Sequence, residues 1–194
     1  MTERRLPAER GVVGGRPGQG GGAATPSFGL PAGATPGVPD APAPLAVGPL
    51  TLAWGERTYV MGVLNVTPDS FSGDGLLRAT DPVDAAVSLA TRMVEDGADL
   101  LDVGGTSSRP GHAEIAPGEE AARVVPVIRA LAAALPSAAI SIDTTSPAVA
   151  AAALDAGAHL LNDVWGVADD PAMVRLAAER GVPIVLMHNR GEAR

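Results

Sequence analysis

The amino-acid sequence predicts an α/β fold in which strand–helix units repeat and are arranged as a (β/α) barrel. Three observations carry this. Short apolar runs alternate with segments of helical spacing over residues 59–187, the pattern of parallel strands covered by helices. A helix stop feeding a strand recurs as Gly97-Ala98-Asp99-Leu100-Leu101 and Gly157-Ala158-His159-Leu160-Leu161, with Gly181-Val182-Pro183-Ile184 as a looser copy. Each run is also followed by polar residues, which in a barrel meet at the one rim where catalytic groups sit. An open doubly wound sheet is the alternative, but no G-x-G-x-x-G follows the first run, which weakens its dinucleotide-binding form.

The elements follow in chain order. The first 50 residues hold 11 Gly and 9 Pro, so residues 1–48 read as a disordered tail and the folded domain as 49–194. Leu50–Val60 reads as a short hairpin or lead-in segment with Gly55 at its turn. Tyr59–Leu64 is the first apolar run. Pro82–Asp96 has Val83, Val87, Ala90 and Val94 on one helical face, and Gly97 stops it. Leu100–Val103 is the second run, and Glu119–Leu135 a second helix, kinked or delayed by Pro126. Ala139–Ile142 is the third run, and Pro147–Ala156 an alanine-rich helix closed by Gly157. His159–Val164 holds the fourth run. Asp170–Arg180 is a helix with Pro171 in its first turn and Gly181 as its cap, and Pro183–Met187 is the fifth run.

Composition narrows the function. The 194 residues contain no cysteine, which excludes disulfides, thiolate metal sites and a cysteine nucleophile. The formal charge of −8 argues against a nonspecific nucleic-acid binder. All 14 basic residues are arginine, so no chemistry in this chain can use a lysine. No apolar run reaches the roughly 18 residues of a membrane span, and the start lacks the apolar stretch of a secretory signal. A soluble, cytoplasmic protein is expected, with neither nucleic acid nor membrane as partner. Hydrophobic residues make up 46% and aromatics 3%, so the core must be built from Ala, Val, Leu and Ile.

Five polar clusters stand at the strand ends. Asn65–Gly75 offers an amide oxygen, hydroxyls and backbone N–H groups, suited to an anion or to a hard cation bridging to one. It also reads as a solvated loop before a helix. Gly104–Gly111 carries Ser108 and Arg109, and a guanidinium fork suits phosphate or carboxylate. Asp143 could accept two N–H bonds from an amidine-like heterocycle edge, or cap the next helix, although Thr144, Thr145 and Ser146 are available as caps. Asn162 offers both donor and acceptor, with a plain turn as the alternative. His112, His159 and His188 lack metal-ligand spacing; His159 reads as structural and His188 as either.

These residues also carry a resemblance. Met61-Gly62-Val63-Leu64-Asn65-Val66-Thr67-Pro68-Asp69-Ser70-Phe71-Ser72 resembles the first signature of the dihydropteroate synthase family. Asp102-Val103-Gly104-Gly105 through Ser108-Arg109-Pro110-Gly111 resembles the second, and Ser141–Thr144, Asn162–Val164 and Leu186–His188 resemble later blocks in the right order. The resemblance spans about residues 59–190. Thr106 stands where the family often has Glu, and Ser108 where it often has Thr.

The resemblance implies a TIM (β/α)8 barrel of the pterin-binding type, here truncated after strand 5. It implies a transferase of folate biosynthesis that joins a dihydropterin hydroxymethyl pyrophosphate to 4-aminobenzoate, releasing pyrophosphate. It places Asn65 at a Mg²⁺ and pyrophosphate site and Asp143 and Asn162 on the pterin edge. Val164 and Met187 would pack on the ring, and Ser108 and Arg109 would lie near the pyrophosphate and 4-aminobenzoate. Asn65 and Arg109 are the expected catalytic residues, and a homodimer is the family's common assembly. The family's later pterin-binding Asp, Lys and Arg–His pair have no counterpart in this chain. These 194 residues alone are therefore expected to turn over little or no substrate. A pterin-binding subunit completed by a partner, or a methyltetrahydrofolate-binding domain of a corrinoid system, is the alternative.

Overall fold

A computed structural model describes residues 42–67, 81–106, 115–164 and 171–187. The tail predicted for residues 1–48 falls mostly outside these segments, as do Ser108, Arg109, His112 and His188.

An antiparallel hairpin comes first, β1 (Leu45–Val47) and β2 (Leu50–Leu52). Five parallel strands follow: β3 (Met61–Asn65), β4 (Leu100–Gly104), β5 (Ala139–Asp143), β6 (Leu160–Asp163) and β7 (Ile184–Leu186). Between them run α1 (Pro82–Glu95), α2 (Pro117–Ala134), α3 (Pro147–Ala156) and α4 (Ala172–Arg180). The strand order in the sheet is the chain order, β3-β4-β5-β6-β7. A doubly wound sheet would reverse direction partway along. Sequential order is that of a (β/α) barrel wall.

Local chemistry accounts for the helix ends. The Asp81 side chain accepts the Val83 N–H at 2.8 Å and starts α1. Ser146 accepts from Val149 N–H and starts α3, so Asp143 is not a cap. Gly157 and Gly181 close α3 and α4 in the left-handed conformation. Pro126 is accommodated inside α2, which begins at Pro117 rather than Glu119.

Register divides the sheet into two faces. Leu64, Leu101, Val103, Ile140, Ile142 and Leu161 point outward into the main core, where they meet Ala86 and Ala90 of α1 and Val124, Val127, Ile128 and Leu131 of α2. Val83, Val87 and Val94 pack at its margin, as their helical spacing predicts. The opposite face lines the barrel interior. Its large exposed apolar residues lie on the two outer strands, Met61 and Val63 on β3 and Val185 on β7.

Two sequence expectations need correction. The hairpin lies earlier than Leu50–Val60, and its turn is Gly48-Pro49, not Gly55. The boundary at residue 48 is accordingly too late, because β1 already belongs to the folded part. The runs over Leu100–Val103 and Ala139–Ile142 are also not wholly apolar inside, since Asp102 and Ser141 are buried. The hairpin owes its place to packing: Val47 and Leu52 form a small second core with Leu100, Ala139 and Leu160 at the amino end of the strands. It floors the barrel interior.

Gly48 marks the tightest point of that floor. Its φ is +56°, and a β-carbon there would overlap the His159 ring. His159 is structural, as expected, with Nδ1 accepting the Ile140 N–H at 3.2 Å. Gly48→Ala is expected to cost about 1–3 kcal/mol through overpacking and strain. Urea unfolding of the two proteins checks this. A loss below about 0.5 kcal/mol, the range of surface changes that touch nothing, would mean that the hairpin does not seat on His159.

Candidate functional site

At the carboxyl ends of the strands, Asn65, Gly104, Asp143 and Asn162 are direct neighbours across β3, β4, β5 and β6. Side chains at paired positions share a face, so the three predicted polar residues stand at one level of the barrel mouth. Gly104 sits among them without a side chain. A β-carbon there would lie 3.6 Å from Asp143 Oδ2 and 3.7 Å from Asn65 Oδ1, so both oxygens border the same small opening. The ladder continues one step beyond it, with Val66 N–H donating to Gly104 O at 2.7 Å and Thr144 N–H to Asn162 O at 3.2 Å. The backbone is thereby held on both sides of the polar ring.

Two residues deeper, Val63, Asp102, Ser141 and Leu160 form the next level on the same face. Asp102 is 3% exposed and Ser141 is fully buried. Asn162 Nδ2 donates to Asp102 Oδ2 at 3.0 Å. Below that come the apolar floor and the hairpin. The lumen thus grades from hydrocarbon at its base to carboxylate and amide at its mouth.

The electrostatics follow from crowding. Burial pushes the Asp143 carboxyl up to about 6, and the negative charges of Asp102, Glu120 and Asp163 add to it. Burial likewise raises Asp102, while Ser141 and Asn162 pull it down. Glu120 of α2 is raised by burial, against the Thr144 hydroxyl and Arg123. Arg123 donates to Gly105 O at 3.0 Å and pairs with Glu119 at 2.6 Å. Such a carboxylate group favours a partner that brings N–H donors.

Val164 stands half-buried just after β6, and Met187 is exposed just after β7. Both lie at the carboxyl end of the sheet, where an apolar ring entering the mouth could be flanked. Among the described residues there is no cluster of three His, Cys, Asp or Glu able to hold a metal. An amide oxygen such as Asn65 Oδ1 still suits Mg²⁺, which takes one or two protein oxygens and fills its shell with water and phosphate oxygens. Asp102 and Glu120 received no role from the sequence. For Asp102 a signal was present, since a lone charged residue inside an otherwise apolar strand must face a polar interior or a partner.

Comparison with known proteins bears on the family and the fold. The family model for pterin binding enzymes matches residues 61–194. A dihydropteroate synthase from Bacillus subtilis (strain 168) is 49% identical over 144 residues, covering 74% of this chain and 49% of that protein. The Xanthomonas albilineans dihydropteroate synthase, solved with 4-aminobenzoic acid, superposes with a TM-score of 0.65 at 46% identity, covering 75% of this chain and 50% of that one. The Burkholderia cenocepacia dihydropteroate synthase, complexed with 7,8-dihydropteroate, gives 0.64 at 41% identity, over 79% and 49%. The chain spans about half the length of the curated relatives it matches.

Proposed function

The chain belongs to the pterin-binding enzyme family, and we propose that it forms the pterin and pyrophosphate part of a dihydropteroate synthase site, in which 6-hydroxymethyl-7,8-dihydropterin pyrophosphate is condensed with 4-aminobenzoate. The observation that carries this is the single level formed by Asn65, Asp143 and Asn162 around the side-chain-free Gly104. In this reading Asp143, ionised above pH 6, accepts N–H groups of the pterin edge, and Asn162 pairs with the same edge through its side-chain amide. Val164 and Met187 flank the ring.

The reaction breaks the bond between the pterin methylene carbon and the pyrophosphate oxygen, and the arylamine nitrogen forms a bond to that carbon and gives up one proton to solvent. The leaving group carries off the electron pair, so developing negative charge must be stabilised. Arg109 contributes positive charge, and Ser108 contributes a hydroxyl beside it. Asn65 would hold Mg²⁺, which when bound neutralises charge on the pyrophosphate oxygens. The acidic lumen favours the pterin edge and repels anions, so pyrophosphate is confined to the rim. A cytoplasmic location and a homodimer fit this reading. Among the described residues no helix is long and apolar enough to cross a membrane.

Two assays test it. Titration with 6-hydroxymethylpterin, followed by quenching of the pterin fluorescence, is expected to show saturable binding that Asn162→Ala weakens about tenfold or more. No binding would overturn the reading. Pyrophosphate release with both substrates is expected to be small, because the matched relatives are about twice as long as the region aligned here. Turnover near that of a full-length relative would show that these residues suffice.

A further inference from the structure

Asp102 lies at the middle position of β4, 3% exposed, and reaches across β5 to Asn162 on β6. An ionised carboxylate can only accept hydrogen bonds, so of the two ends of the Asn162 amide only the nitrogen can turn toward it. The 3.0 Å bond from Nδ2 to Asp102 Oδ2 has that sense. An unheld amide could turn either end to a ligand. Ser141, fully buried at the paired position of β5, is the other polar group on this carboxylate. Burying a carboxylate carries a desolvation cost, so its place here has a use other than packing.

We propose that Asp102 is a positioning residue that locks the Asn162 amide with its nitrogen inward, so that the carbonyl oxygen is the acceptor offered to the ligand. The inference rests on the pterin-pocket reading and adds a rule of selectivity: this edge of the pocket takes a heterocycle bearing an N–H or amino group there, and rejects one bearing a carbonyl. Asp143 sets its own preference at the neighbouring position, and Asp102 acts only through Asn162.

The test compares 6-hydroxymethylpterin with its lumazine counterpart, in which the 2-amino group is replaced by oxygen. The full chain is used with Asp102→Leu, which keeps the shape and removes the acceptor. The wild type is expected to prefer the pterin, and Asp102→Leu to narrow the ratio about tenfold, because a freed amide can turn its nitrogen to the carbonyl. In the ligand-free protein, NMR of the Asn162 side-chain amide is expected to show one proton shifted downfield by the carboxylate, and Asp102→Leu to lose it. An unchanged ratio, or an unchanged amide proton, overturns the proposal. If neither heterocycle binds the wild type, the pterin reading fails, and the amide proton alone decides whether Asp102 holds Asn162. Should Asp102→Leu not fold, Asp102→Asn replaces it. Its own amide can present either end, so selectivity is expected to fall part way, and no fall overturns the proposal.

Discussion

Replacing Asp143 by alanine is expected to weaken 6-hydroxymethylpterin binding by roughly a hundredfold, the loss of hydrogen bonds made to a charged acceptor. The side chain stands at the mouth beside Asn65 and Asn162 and caps no helix, because Ser146 does so for α3. Removing it therefore takes away a ligand contact and spares the helix. The pH dependence follows from a carboxyl held at about 6 by burial and neighbouring carboxylates. Only the ionised form accepts two N–H bonds, so affinity is expected to fall as pH drops through about 6, by up to about tenfold per unit. Stability moves the other way. The native state binds this proton more tightly than the unfolded chain, whose carboxyl has the ordinary value of 3.8. The favourable contribution is complete below pH 3.8 and is lost as pH rises to about 6. Asp143→Asn is thus expected to be more stable than the wild type at pH 8, while binding pterin poorly. Calorimetric titration from pH 5 to 8, with urea unfolding of both proteins, reads the two effects. Undiminished binding by Asp143→Ala would remove the residue from the site.

The legible parts of the molecule were those with a local cause. Pro147–Ala156 is bounded by a serine cap and a glycine stop, and the helix occupies those ten residues. Each strand of the sheet could be placed to within about two residues, because its apolar run is bracketed by helix stops and polar clusters. The hairpin was hidden because Leu45–Val47 is embedded in a Gly- and Pro-rich stretch and is seated through Val47 on Leu100, Ala139 and Leu160, more than 50 residues away in the chain. The site was legible in its members and not in its depth. Asn65, Asp143 and Asn162 end their strands and advertise themselves. Asp102 and Glu120 act from below and behind, and their importance arises from which strands and helices become neighbours. Local sequence carries no information on the 3.0 Å approach of Asp102 to a residue two strands away.

The mouth also depends on the core behind it, and Ile142→Ala measures how much. Ile142 is fully buried in β5, paired with Val103 on one side and Leu161 on the other, and it precedes Asp143. Its side chain points to the helices while that of Asp143 points to the lumen, so truncation opens a cavity directly behind the site. Such truncations cost about 2–5 kcal/mol, against about 0.5–1.5 kcal/mol for Ile142→Val. Total stability of a domain is only about 5–15 kcal/mol, so the alanine variant gives up a large part of it. For a folded region of this size a loss of about 3 kcal/mol lowers Tm by roughly 6–12 °C. The aromatic content of 3% sharpens the expectation. Few large rings are available to swing into the gap, and Val103 and Leu161 beside it, like Ile128 and Val149 elsewhere in the same core, are branched aliphatics. Thermal and urea unfolding of the alanine and valine variants would check it. Equal, small losses would mean that the helices close onto the sheet and fill the space. A large loss from alanine with a small one from valine would mean that Asp143 is held in position by a core packed too tightly to follow.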